Sequence, residues 1–229
     1  MPGEEEDRSA PASLRERKKK RQHADLLRIA IRLFRQHGYE QTRMEDIAAR
    51  ASVSTKTVYN YFPTKQQLLI AFLDEDRVRM KAAYEKVVRY PPDNPAEALA
   101  LLIRADVGYV RTVEDKRLWR EMLGAATQGH DRAEDEFDSN RRMFTMYIEQ
   151  LLRHYISVGL LSPEIKLAAA VDIVYAVNAY DFREFCADEH MTPDDLLARA
   201  EEQMRVLVSN WTPDTLAVRN ALGTPQPER

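Results

Sequence analysis

A single cysteine, Cys186, occurs in 229 residues, which excludes an intramolecular disulfide framework and fits a reducing, cytoplasmic setting. Glycine and proline are scarce, at 7 and 11, and turn-rich alternating segments are hard to find. Both deficits favour helices over a sandwich or barrel. No stretch approaches the roughly 18 consecutive apolar residues that span a bilayer. The opening run Met1-Pro2-Gly3-Glu4-Glu5-Glu6-Asp7 is acidic and leads into no apolar core, so no signal peptide is expected. Catalytic signatures are missing as well: there is no glycine-rich phosphate loop, no Gly-x-Ser-x-Gly elbow and no His-Glu-x-x-His. The five histidines are scattered without metal-ligand spacing. No catalytic residue, metal or cofactor is expected, and the chain reads as a non-enzymatic, all-α protein.

What is present is a sizeable apolar fraction, 44%, enough to fill a core. The net charge of −3 hides an asymmetry. Arg8 to Lys65 contains fourteen basic against five acidic residues, whereas the rest of the chain beyond Lys65 is acidic. A basic N-terminal quarter on an acidic body suggests that one end meets a polyanion.

Residues 1–13 are charged and poor in large apolar side chains, so disorder is expected there. Leu26, Leu27, Ala30, Leu33, Phe34 and His37 then recur at three- and four-residue spacings, the stripe of an amphipathic helix, and Gly38 stands where a left-handed residue ends one. Thr42-Arg43-Met44-Glu45 fits a capping box with Thr42 as N-cap, followed by an inward face of Met44, Ile47, Ala48 and Ala51. Ser52-Val53-Ser54 reads as a tight turn in which Val53 plugs the core and Ser54 caps the next helix. That helix, Thr55 to Phe62, is stopped by Pro63. Thr64-Lys65-Gln66-Gln67 is a second capping box and opens a long helix. Further helices are expected at about 95–112, 115–127, 131–158, 163–187 and 193–210, with a loose tail after Trp211.

Residues 42–62 meet the requirements of a helix-turn-helix. With Val58 at the centre of the buried face and about 100° per residue, Lys56 and Asn60 point away from it and Thr57 and Tyr59 flank them. That outer face has no carboxylate, which suits an approach to DNA. Lys56 is matched to guanine O6 and N7, and Asn60 to adenine N6 and N7. Thr55, Thr57 or Tyr59 suit thymine methyls or phosphates. Thr42, Ser54, Tyr61 and Lys65, with Arg43, are candidate backbone clamps that fix register without reading sequence. The basic run Arg15–Arg21 reads either as the solvated start of the first helix or as a minor-groove arm.

Leu26-Leu27-Arg28-Ile29-Ala30-Ile31-Arg32-Leu33-Phe34 through Gly38-Tyr39, Thr42-Arg43-Met44-Glu45-Asp46-Ile47-Ala48, and Val53-Ser54-Thr55-Lys56-Thr57-Val58-Tyr59-Asn60-Tyr61-Phe62-Pro63-Thr64-Lys65 resemble the DNA-binding domain of the TetR, or tetracycline-repressor, family. The resemblance covers roughly residues 22–72, and its ending, Tyr-x-Tyr-Phe-x-x-Lys, is specific. Ser52 departs from it, since the family usually has Gly there. The resemblance implies an all-helical homodimer on operator DNA, with bodies that dimerise through the last two long helices and bind a small-molecule effector. Ala169, Ile173, Ala176, Leu197, Met204 and Leu207 are then the expected dimer face.

In the body, Tyr109, Trp119, Met122, Met143, Phe144, Tyr147, Tyr175 and Asn178 are candidate effector-pocket residues, although helical spacing such as Met143, Phe144, Tyr147, Leu151 also fits plain core. Asn178 stands in an otherwise apolar helix, so if buried it needs a partner, which a ligand, Tyr180 or a backbone group could supply. The expected organisation is a disordered, partly basic arm (1–18), a helix-turn-helix domain (19–68), a helical effector-binding and dimerisation domain (69–211) and a flexible tail (212–229). The functional expectation is a DNA-binding transcriptional regulator, a repressor whose operator affinity an effector changes. The rival is a DNA-binding protein whose body binds a partner protein and no small molecule, for which a solidly packed body would speak.

Overall fold

The computed structural model describes residues 14–108, 110–126 and 131–217, without the side chains of 125, 126 and 131–138. The disorder expected for residues 1–13, the pocket role expected for Tyr109 and most of the expected tail lie outside the described residues. Among the described residues there are α-helices and no strand. The helices are α1 (Leu14–His37), α2 (Met44–Arg50), α3 (Thr55–Tyr61), α4 (Lys65–Arg89), α5 (Pro95–Val107), α6 (Val113–Ala126), α7 (Asp131–Ser157), α8 (Leu167–Ala187) and α9 (Pro193–Ser209). The chain divides into two compact units, one up to Phe72 and one from Leu73 onward.

The first unit is built on α1, which packs on α2, and α2 on α3. Leu26, Leu27, Ala30, Ile31, Leu33 and Phe34 form the buried stripe of α1. His37, expected on that stripe, is exposed, because the helix is already ending there. Gly38 takes a φ of 91° and its N–H returns to the Phe34 carbonyl at 2.8 Å, a left-handed cap that costs glycine nothing. Helix α1 starts at Leu14, so residues 14–18, expected in an irregular arm, are helical and exposed. Lys and Arg are good helix formers, and the basic run simply extends the helix into solvent.

In the second unit α5 is buried almost all round, through Ala96, Ala98, Leu99, Ala100, Leu102, Ile103 and Val107, as a central helix has to be. It packs most extensively along α9 and also meets α7 and α8. Helix α8 in turn packs on α6, α7 and α9.

Two boundaries differ from expectation for visible reasons. The helix expected to run to 112 ends at Val107, because Thr112 and Asp115 form a capping box that starts a new one. The Thr112 hydroxyl accepts from Asp115 N–H at 3.1 Å, and the Asp115 carboxylate accepts from Thr112 N–H at 3.1 Å. Helix α8 starts at Leu167 rather than 163. Ser162 instead makes a local turn, its hydroxyl accepting from Glu164 N–H at 3.2 Å and its own N–H bonding the Trp211 carbonyl at 2.9 Å. After Trp211, residues 213–217 form a further helical turn where an irregular tail was expected. No described helix is long and apolar enough to cross a membrane.

Candidate nucleic-acid interface

The turn between α2 and α3 sets the geometry of the first unit. Ala51 caps α2, Ser52 N–H returns to the Ala49 carbonyl at 3.2 Å, and Val53 N–H to the Ala48 carbonyl at 3.0 Å. This is a Schellman closure, which needs a left-handed residue at its pivot. Ser52 supplies it, with a φ of 55°. Ser54 then caps α3. Its hydroxyl oxygen accepts from Thr57 N–H at 3.2 Å and shares a 2.8 Å hydrogen bond with the Thr57 hydroxyl.

Helix α3 turns Val58 fully inward, with Phe62 buried just beyond its end. Lys56 and Asn60 are exposed, Tyr59 is 44% exposed, and Thr55, Thr57 and Tyr61 are half-buried. Tyr61 stands edge-on to His23 of α1 at 6.4 Å, and Phe62 lies 4.4 Å from the same ring. The exposed side chains of α3 therefore carry one cation, one amide and one phenol, with no acid anywhere in the helix.

Two expected clamps, Thr42 and Lys65, are placed differently. Thr42 is buried, and its hydroxyl donates to the Gly38 carbonyl at 2.8 Å. The cap of α2 falls one residue later, on the exposed Arg43, whose N–H is held at 2.9 Å by the Asp46 carboxylate. Asp46 rather than Glu45 supplies the reach-back, because the buried Met44, Ile47 and Ala48 fix which residue begins the helix. Lys65 is half-buried, and its ammonium donates to the Tyr39 and Glu40 carbonyls at 2.7 and 3.2 Å while lying 4.4 Å from the Tyr39 ring centre. It staples the α1–α2 loop to the start of α4 and is committed there.

A protein family described as "Bacterial regulatory proteins, tetR family" matches residues 26–72, which span the capped turn and α3. A regulator of Streptomyces glaucescens, TcmR, is 35% identical over 109 residues, 47% of each chain. Residues 26–72 are a TetR-family DNA-binding domain. The KstR repressor of Rhodococcus jostii is 32% identical over 99 residues, 43% of this chain and 42% of its own. The chain thus spans about half the length of the curated relatives it matches. Among solved structures, a TetR-family regulator from Mesorhizobium loti superposes with a TM-score of 0.68 at 15% identity, over 85% of this chain and 98% of that one. FadR from Bacillus subtilis, solved with stearoyl-CoA, gives 0.64 at 19% identity, over 82% and 98%. At those identities the likeness shows the fold alone.

The body, the second unit, contains a cleft of about 150 Å³. Of the expected pocket residues, Trp119, Phe144, Tyr175 and Asn178 line it. Met122, Met143 and Tyr147 do not. Met122 is buried elsewhere in the core, Tyr147 packs on Tyr84 at 5.2 Å, and Met143 lies against the main cluster.

Asn178 is 4% exposed, and its side-chain N–H donates to Asp106 at 2.9 Å. Asp106 also accepts from the Tyr84 hydroxyl. Burial raises its carboxyl above the usual carboxylate range, and these two donors only partly oppose the rise. Sequence reading missed Asp106, although the signal was there: it continues the Leu99, Leu102, Ile103 face of α5 as a lone acid. Phe182 was missed too, and stands edge-on to Trp119 at 5.3 Å.

Proposed function

We propose that this protein is a dimeric DNA-binding transcriptional regulator, a repressor whose operator affinity is changed by a small molecule bound in its second unit. The observation that carries the DNA-binding reading is the outer face of α3. Lys56, Tyr59 and Asn60 project from a helix without a carboxylate, positioned by a Schellman turn and a serine cap. Lys56 suits guanine, Asn60 suits adenine, and Thr55 and Thr57 lie beside them for thymine methyls or phosphates. Arg43, Ser54 and Tyr61 suit phosphates at its edges. The exposed basic start of α1, Arg15–Arg21, adds a salt-dependent hold on the duplex.

The dimer is proposed to form through α8 and α9. Ala169 and Ala176 are exposed on α8, with Ile173 at 44% and Tyr180 at 53%, and Val206 of α9 is 62% exposed. Leu197 and Leu207 are half-buried beside them. Met204, expected on that face, is fully buried in the chain's own core because it sits on the side of α9 that packs against α5. Two α3 helices would enter successive major grooves about 34–36 Å apart. An effector would act by its differential affinity for the spacings that fit and do not fit the DNA. The body cleft supports this reading over one in which the body binds only a partner protein.

Binding to DNA fragments from immediately upstream of the protein's own gene, at two salt concentrations, tests the proposal. Tight, salt-sensitive, site-specific binding is expected. Lys56→Ala and Asn60→Ala should each weaken it by about 1–3 kcal/mol and relax preference at one base pair. Specific binding that survives both substitutions would show that another face reads the sequence. Binding that stays weak and non-specific, even against selected random DNA, would overturn the regulator reading.

A further inference from the structure

The body cleft is chemically polarised, and its polarity describes an occupant. Its closed end is aromatic and acceptor-rich. Trp119 and Phe144 are almost fully buried there, with Phe182 edge-on to Trp119. Among them the Asn178 side-chain oxygen is buried without a hydrogen-bond partner, since the amide nitrogen of the same side chain is spent on Asp106. A buried acceptor left unmet is a cost that a ligand's O–H or N–H would remove. Asp106 spends its two carboxyl oxygens on Tyr84 and Asn178, so the Asn178 oxygen is the acceptor left open to a ligand.

The outer end has the opposite character. Arg141 and Arg183 are exposed and line the rim, and the Arg141 guanidinium lies 5.4 Å from the centre of the Tyr175 ring, another wall of the cleft. An apolar cavity of about 150 Å³ holds a benzene-sized ring, and the cleft has about that volume. Larger apolar ligands need more space, in the range of roughly 300–1,000 Å³.

We propose that the effector is a one-ring aromatic hydroxy acid, its neutral hydroxyl donating to the Asn178 side-chain oxygen and its carboxylate facing Arg141 and Arg183. The proposal rests on the effector-binding reading above. A cation is disfavoured by the two guanidinium groups, and an acid without a donor leaves the Asn178 oxygen unmet. The ring fills the space between Trp119, Phe144 and Tyr175, where edge and face contacts to other rings favour an aromatic over an aliphatic body of the same size.

Calorimetric titration of the full-length protein with 4-hydroxybenzoate, 4-methylbenzoate and phenol tests both ends of the site. The second probe lacks the donor and the third lacks the acid. The expected result is that 4-hydroxybenzoate binds at least about tenfold more tightly than either. Asn178→Leu should bring 4-hydroxybenzoate down to the level of 4-methylbenzoate. Arg183→Gln, at an exposed position that leaves folding intact, should erase its advantage over phenol.

Equal binding of 4-hydroxybenzoate and either truncated probe overturns the proposal, as does binding of none of the three. Release of bound operator by a compound of different chemistry would overturn this inference while sustaining the effector reading. Operator binding that no compound in a chemically broad set alters would sink both.

Discussion

Ser52 holds a φ of 55° without glycine's freedom, and a left-handed non-glycine residue carries about 1–2 kcal/mol of strain. Part of that returns as the greater unfolded-state entropy of glycine. Ser52→Gly should therefore raise stability by up to about 1 kcal/mol, and Ser52→Val should lower it, in urea unfolding. A fall on substitution with glycine would mean that the serine hydroxyl compensates the strain. Cys186 gives a second prediction at this scale. Its thiol is fully buried, and burial, partly opposed by Lys116 and Arg120, pushes its pKa up to about 12. A raised value keeps the thiol protonated through mildly alkaline pH, so the thiolate that reacts is scarce. Native protein should resist a disulfide reagent at pH 8.5 and react fully once unfolded; rapid native labelling would contradict the burial. Residue reading from sequence did well where one side chain decides. Gly38 ends a helix, Ser54 caps one, and Val58 turns inward, each from local chemistry alone. It failed for Thr42 and Lys65, whose hydroxyl and ammonium are taken by carbonyls of the α1–α2 loop, because a loop's carbonyl directions are not written in its side chains. Asn178 was read as needing a partner, but that partner, Asp106, lies 72 residues away.

Among the elements, α6 anchors the loop that joins α8 to α9. Lys116 is 4% exposed, and its ammonium donates to the carbonyls of Asp188 and Met191 at 2.5 and 2.6 Å while lying 4.1 Å from the centre of the Phe185 ring. Burial lowers its pKa, with Asp188 opposing. One turn on, Arg120 donates to the Cys186 carbonyl at 3.0 Å and pairs with Glu189 at 3.4 Å. Lys116→Met keeps the length of the side chain and removes the donors. It should cost about 2 kcal/mol, as two hydrogen bonds from a charged group are lost and one buried charge is relieved. Amide exchange at residues 188–192 should quicken with it; an unchanged rate there would show that the loop holds itself. The helices were legible because apolar residues at three- and four-residue spacing leave little choice of face. Their edges were less so. Thr112 and Asp115 cut short a helix that periodicity alone would have carried on, and the cap of α2 moved by one residue because burial of Met44, not the Thr-x-x-Glu pattern, chose the register.

For the whole molecule, the proposed dimer face makes the clearest demand. Ile173 is 44% exposed on α8 between the exposed Ala169 and Ala176. Ile173→Arg should leave the fold of one chain intact, since little of that side chain is in its core. It should shift sedimentation from dimer to monomer and, with the second recognition helix no longer tethered, weaken operator binding by at least tenfold. A dimer that persists would place the interface elsewhere. The fold of the first unit and the exposed face of α3 could be read from sequence because roughly fifty residues near the N-terminus carry most of their own structure and a specific motif. The cleft could not, because its walls come from α4 to α8, brought together only by packing. Of the six expected aromatic and Met positions among the described residues, Met122, Met143 and Tyr147 pack in the core away from the cleft.

The buried state of Cys186 has one further use. Because it is the sole cysteine of the chain and is sealed in the second unit, the natural sequence already serves as a thiol-silent background. A cysteine introduced at exposed Ala49 of α2 would be the one reactive position per protomer. Spin labels attached there would report the separation of the two first units in the proposed dimer, with and without DNA or ligand, on a protein carrying no other change.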